Sequence, residues 1–177
     1  MKNFKWQVAV CAFVLTLGLA VGAVMLRQRQ VLDEPLRERL GSLAAVETVE
    51  LDQEEEKFVV RVKLAEVKDL ALTYRALEAE LNQLLAEDSY RLVLVDERNS
   101  ELTEALFTVS LALYEGEQRG NFTEMSKAIA ATLEELQVAE HRLTVDHEHI
   151  YLQMKNGDAY LYEVVGREPW RREGERV

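Results

Sequence analysis

Cysteine, proline and histidine are scarce in this chain of 177 residues. The single cysteine, Cys11, lies inside an apolar run, so no intrachain disulfide forms and no thiol is left for catalysis or metal binding elsewhere. The lack of disulfides suits a cytosolic body and many bacterial envelope domains equally well. Missing as well are a glycine-rich phosphate loop, a Gly-x-Ser-x-Gly elbow and a histidine placed beside a nucleophile. The sequence therefore predicts a non-enzymatic protein without a cofactor. Positive charge is also scarce outside the two ends. The formal net charge is −11, but residues 1–30 carry +4 and residues 166–177 carry +1, leaving −16 on residues 31–165. A body that acidic is repelled by nucleic-acid phosphates and anionic headgroups, so no nucleic-acid partner is expected.

The one long apolar run organises what remains. Val8–Leu26 holds nineteen residues without a charge. As a helix it would be about 28 Å long at ~1.5 Å per residue, close to a hydrocarbon core of ~30 Å. Gly18-Leu19-Ala20 resembles a small-x-small cleavage site, yet the run continues six residues past Ala20, longer than a signal h-region. An uncleaved single-pass anchor is the reading. Trp6 at one end and Arg27 and Arg29 at the other suit the two interfaces. The short basic head, with Lys2 and Lys5, favours export of the body to the extracytoplasmic side, although Arg27, Arg29, Arg37 and Arg39 lie beyond the span.

The body alternates helical and extended patterns. Pro35, after Asp33 and Glu34, starts a short helix with Leu36, Leu40 and Leu43 on one stripe. Val46–Leu51 and Phe58–Leu64 form a hairpin across the acidic turn Asp52–Glu56, which reads as a solvated turn rather than a cation cage. Val67–Leu85 is an amphipathic helix carrying Leu70, Tyr74, Leu77, Leu81 and Leu84. Tyr90–Val95, apolar without alternation, reads as an interior strand.

A helix capped by Asn99 or Ser100 follows, with two apolar stripes: Leu102, Leu106, Val109, Leu113, and Phe107, Leu111, Tyr114. It is expected to be the most buried helix and to end at Gly116 and Gly120. Asn121 and Glu124 form a capping box for the next helix. A meander closes the body: Arg142–Val145, Ile150–Met154 and Ala159–Val165. With Asn156-Gly157 as a type I′ turn, Met154 pairs with Ala159, Leu152 with Leu161 and Ile150 with Glu163.

The fold class is therefore α+β: a single transmembrane helix, then helices packed on a largely antiparallel sheet in the order αββαβ and ααβββ. The segments are 1–30, head and anchor; 31–97, the αββαβ module; 98–165, two helices and the meander, either joined to 31–97 or separate; and 166–177, a charged disordered tail. The αββαβ order over Leu36–Asp96 is similar to that of ring-building modules in secretion and sporulation assemblies, which are also small membrane-anchored envelope domains. The resemblance is one of element order. It implies protein-protein or self-assembly contacts.

Two groups of residues are candidate sites. His141, His147 and His149 lie within nine residues, beside Glu140, Asp146 and Glu148, and imidazoles with carboxylates can ligate a divalent ion. Their spacing fits no established zinc motif, so no metal is the leading expectation and a cation-binding sensor the alternative. Tyr151, Tyr160 and Tyr162 share one face of the meander. They are either half-buried sheet surface or an interaction surface for a protein partner or a second copy.

Overall fold

The computed structural model describes residues 34–54 and 57–167. The predicted anchor Val8–Leu26 and residues 168–177 of the predicted tail lie outside these. Among the described residues no helix is long and apolar enough to cross a membrane.

The body is α+β, with helices packed against two small sheets. In chain order the elements are α1 (Glu34–Gly41), β1 (Val46–Glu54), β2 (Lys57–Leu64), α2 (Leu70–Leu84), a 3₁₀ turn (Glu87–Ser89) and β3 (Tyr90–Val95). Then follow α3 (Ser100–Arg119), α4 (Phe122–Glu135), β4 (Glu140–Val145), β5 (His149–Asn156) and β6 (Ala159–Gly166). The element order is the one read from the sequence. The expected single, largely antiparallel sheet is instead two three-stranded sheets, β1-β2-β3 and β4-β5-β6.

In the first sheet β1 and β2 are antiparallel, whereas β2 and β3 are parallel. The cause is α2, a helix long enough to return the chain to the starting end of the sheet. β3 is an edge strand and none of its residues is fully buried, contrary to the interior strand expected there. β1 also runs through Asp52–Glu54, further into the hairpin than predicted. Arg61 on β2 holds the Asp52 carboxylate and, at 3.0 Å, that of Glu54, which Arg91 also binds at 2.8 Å. Cross-strand charge pairs of this kind support extended backbone, and they occupy carboxylates of the acidic turn.

The core divides into two clusters. Leu36 and Leu40 of α1, Val60, Val62 and Leu64 of β2, and Leu70, Leu77 and Leu81 of α2 form the first. Leu102, Val109 and Leu113 of α3, Met125, Ile129 and Leu133 of α4, and Ile150, Leu152, Met154 and Leu161 of the second sheet form the other. Helix starts follow side-chain chemistry. Asp69 accepts from the Leu72 N–H at 3.0 Å and Asn99 from the Leu102 N–H at 2.8 Å, each satisfying an orphan donor of the first turn. The expected capping box at Asn121 does not form: the Asn121 amide donates to Glu124 Oε2 at 2.9 Å, and the cap is made by the Asn121 carbonyl.

The second hairpin turns on Gly157-Asp158 rather than Asn156-Gly157, so Asn156 pairs with Ala159, Met154 with Leu161 and Ile150 with Val165. Gly157 has φ +64° and Asp158 is not left-handed, a requirement of glycine at the first loop position only, as in type II′ turns. The register differs by two residues from the expected one. An even shift leaves every side chain on its predicted face. Gly166 ends β6 and the Arg167 N–H donates to the Glu148 carbonyl at 2.7 Å, so both belong to the body, not the tail.

Gly116 does not end α3, which continues to Arg119 and stops at Gly120, φ +66°. Gly116 is buried against α4: an added Cβ would meet the Met125 Sδ, Cβ and Cγ atoms, all nearer than 3.0 Å. Replacing glycine by alanine inside a helix gains about 0.8–1 kcal/mol of propensity, while overpacking costs about 1–3 kcal/mol. Gly116→Ala is therefore expected to lower stability in denaturant unfolding by up to about 2 kcal/mol. An unchanged or raised midpoint would show that the two helices are not packed this closely.

Candidate functional site

The three histidines do not converge. His141 pairs with Met154 near one end of the β4–β5 ladder and His149 begins β5 at the other. Five residue steps along β5, from Met154 to His149, or about 16 Å at ~3.3 Å each, separate those ladder positions. His141 and His147 are exposed, and only His149 is drawn inward. It meets Glu148, which the sequence reading had placed nearby, and Glu78 from α2, which it had not. One ligand atom from each of Glu78, Glu148 and His149 lies within 4.8 Å of the others.

Local chemistry fixes this cluster. The Asp146 carboxylate accepts from the backbone N–H groups of Glu148 and His149, at 2.9 and 2.8 Å, and from the Tyr151 hydroxyl at 2.8 Å. Burial pushes the Asp146 carboxyl up, but those hydrogen bonds outweigh it and hold the carboxyl below its usual range. His149 packs edge-on against the Tyr74 ring, centroids 5.0 Å apart, and also touches the Tyr151 ring. Burial lowers the His149 imidazole below its ordinary value, against the pull of Asp146 and Glu148. His149 Nε2 stands 3.7 Å from Glu78 Oε1. That separation is too long for a hydrogen bond, and burial of the imidazole works against an ion pair there. The arrangement brings one imidazole to two carboxylates, groups that could hold a divalent ion.

The tyrosine face is buried. Tyr151, Tyr160 and Tyr162 are 1, 8 and 4% exposed, and all three belong to the first core cluster although they lie on the second sheet. Tyr160 donates to the Leu64 carbonyl at 2.9 Å. The Tyr162 hydroxyl accepts from the Val67 N–H at 2.8 Å and donates to the Ala65 carbonyl at 3.2 Å. Between them the Gln153 amide accepts from the Leu70 N–H at 3.0 Å. Burial pushes the Tyr162 hydroxyl up to about 12. The surface that the sequence offered to an outside partner covers residues 64–70 of the same chain.

The apolar surface left open is elsewhere. α3, expected to be the most buried helix, shows its second stripe to solvent: Phe107, Leu111 and Tyr114 are 75, 81 and 52% exposed. At ~3.6 residues per turn this stripe stands opposite the buried one of Leu102, Ala105, Val109, Leu113 and Gly116. Periodicity shows both stripes, but not that one of them is exposed among the described residues.

No family model, curated protein or solved structure matches this chain. Its functional reading rests on its own residues.

Tyr162→Phe keeps the ring and strips the buried Val67 N–H and Ala65 carbonyl of a partner. A buried unsatisfied group costs about 1–3 kcal/mol. Urea unfolding is expected to show a loss in that range for Tyr162→Phe and a smaller one for Tyr160→Phe, which removes a single bond. Equal, negligible losses would mean that these hydroxyls do not join the two halves.

Proposed function

We propose that this chain is a non-enzymatic assembly protein of the cell envelope, tethered by Val8–Leu26 as a single membrane span, whose acidic extracytoplasmic body associates with a second copy through the outer face of α3. The exposed stripe of Phe107, Leu111 and Tyr114 carries this reading. Soluble domains rarely leave contiguous large apolar groups in water without a partner.

Three features favour a second copy. The stripe reads aromatic, leucine, aromatic, and it is self-complementary when two helices cross antiparallel with Leu111 on the two-fold axis: Leu111 meets Leu111, and Phe107 meets Tyr114. Arg119, which pairs with Glu115 at 2.5 Å within its own helix, comes level with Thr103 and Glu104 of the other copy, opposite charge beside opposite charge. Two rings of ~150–250 Å² each, a leucine and the flanking polar groups bring the pair to on the order of 1,000 Å² buried, the lower edge of a specific interface. Confinement to a membrane by the anchor raises local concentration and compensates for that modest size.

Sedimentation of the full-length chain in detergent tests this. The wild type is expected to show concentration-dependent dimers, and Leu111→Glu to weaken association by more than about tenfold, 1.4 kcal/mol, with unchanged thermal stability because the position is exposed. A monomeric wild type would assign the face to a different protein, and dimers that survive Leu111→Glu would place self-association elsewhere.

A further inference from the structure

We propose that Glu78, Glu148 and His149 form a binding site for a divalent transition-metal ion of the zinc class, which ties α2 to the second sheet. The site is independent of the α3 face.

The three donors come from three places: the middle of α2, the β4–β5 turn and the first residue of β5. A zinc ion takes imidazole nitrogen at ~2.0–2.1 Å and carboxylate oxygen at ~2.0–2.2 Å, so tetrahedral ligands stand roughly 3.3 Å apart. His149 Nε2 and Glu78 Oε1 are already 3.7 Å apart, and the full set is within 4.8 Å. Glu148 is exposed, and rotation of its side chain closes the remainder without moving the backbone. Three protein ligands leave a fourth position for water, the pattern of an open site.

The imidazole is turned the right way. Tyr151 gives its proton to Asp146, so its oxygen faces His149 Nδ1 at 3.5 Å as an acceptor. The hydrogen-bond network therefore assigns the ring proton to Nδ1 and points the Nε2 lone pair at the two carboxylates. Metal-binding histidines are characteristically oriented in this way by a hydrogen bond on the other nitrogen. The backbone of Glu148 and His149 is held by Asp146, and Arg167 closes the same turn by donating to the Asp146 and Glu148 carbonyls. Preorganised ligands lose little entropy on binding. The mixed set of one imidazole and two carboxylates suits zinc better than the all-oxygen cages of calcium and magnesium.

A cation here would bridge the two core clusters, since Glu78 belongs to the helix of the first and His149 to the sheet that both share. Bound metal therefore stabilises the body as a whole.

The full-length chain in detergent, stripped with chelator and titrated with Zn²⁺ by calorimetry, tests the site. One ion is expected to bind per chain and to raise the thermal midpoint. Glu148→Gln, at an exposed position that cannot disturb folding much, should weaken binding at least about tenfold, as should Glu78→Gln, while His141→Ala and His147→Ala should leave it within about twofold. Uptake of no Zn²⁺, wild-type affinity in Glu148→Gln, or loss of binding in His141→Ala would each overturn the proposal.

Discussion

The second sheet has two apolar faces, and covering both of them dictates the rest of the body. Ile150, Leu152, Met154 and Leu161 need one cover, Tyr151, Tyr160 and Tyr162 another. The first is met by α3 and α4 through pure apolar packing. The second is harder, because a tyrosine hydroxyl taken out of water must find a partner or cost several kcal/mol. The end of β2 and its connection to α2 supply partners for Tyr160 and Tyr162 as backbone groups at Leu64, Ala65 and Val67, and Asp146 takes the Tyr151 hydroxyl. The second sheet is thereby fastened to the segment after β2 at a polar seam inside an apolar contact. A hydrogen-bonded seam specifies orientation in a way that leucines alone would not.

Both faces of the sheet are thus covered from within the chain. Among the described residues, the large apolar side chains left in water gather on the outer face of α3, with Leu72, Val95 and Leu136 exposed singly elsewhere. Single exposed leucines are ordinary; a ring, a leucine and a second ring in register on one helix are not. Inner and outer roles are thus the reverse of those suggested by residue type. Tyrosines, favoured at interfaces for their area and stiffness, hold the body together, and the second apolar stripe of α3 faces outward.

Much of this architecture was legible in the chain. The period of Leu70, Tyr74, Leu77 and Leu81 gave α2 and its buried face, alternation gave β2, Asn99 gave the start of α3, and the even spacing of the meander gave the right faces despite a register two residues off. Periodicity is a local property and reports which residues share a face. It does not report what lies opposite. For that reason the parallel pairing of β2 with β3, the exposure of Phe107 and Leu111, and the approach of Glu78 to His149 were not readable: each depends on a contact between segments far apart in sequence. Gly116 was misread as a helix end for a related reason. The close passage of Met125 leaves no local mark to distinguish a packing glycine from a terminating one.

The central claim is that two copies meet along the outer face of α3, and an intermolecular distance measures it most directly. Cys11 is the only native cysteine, so Cys11→Ser with Thr108→Cys carries one spin label per chain, on the flank of the stripe. Helices in contact lie ~8–10 Å axis to axis. In lipid bilayers, pulsed dipolar spectroscopy of the full-length chain is expected to give one narrow label-to-label distance within roughly 25 Å, lost when Leu111→Glu is added. A uniform background with no defined distance would contradict the account.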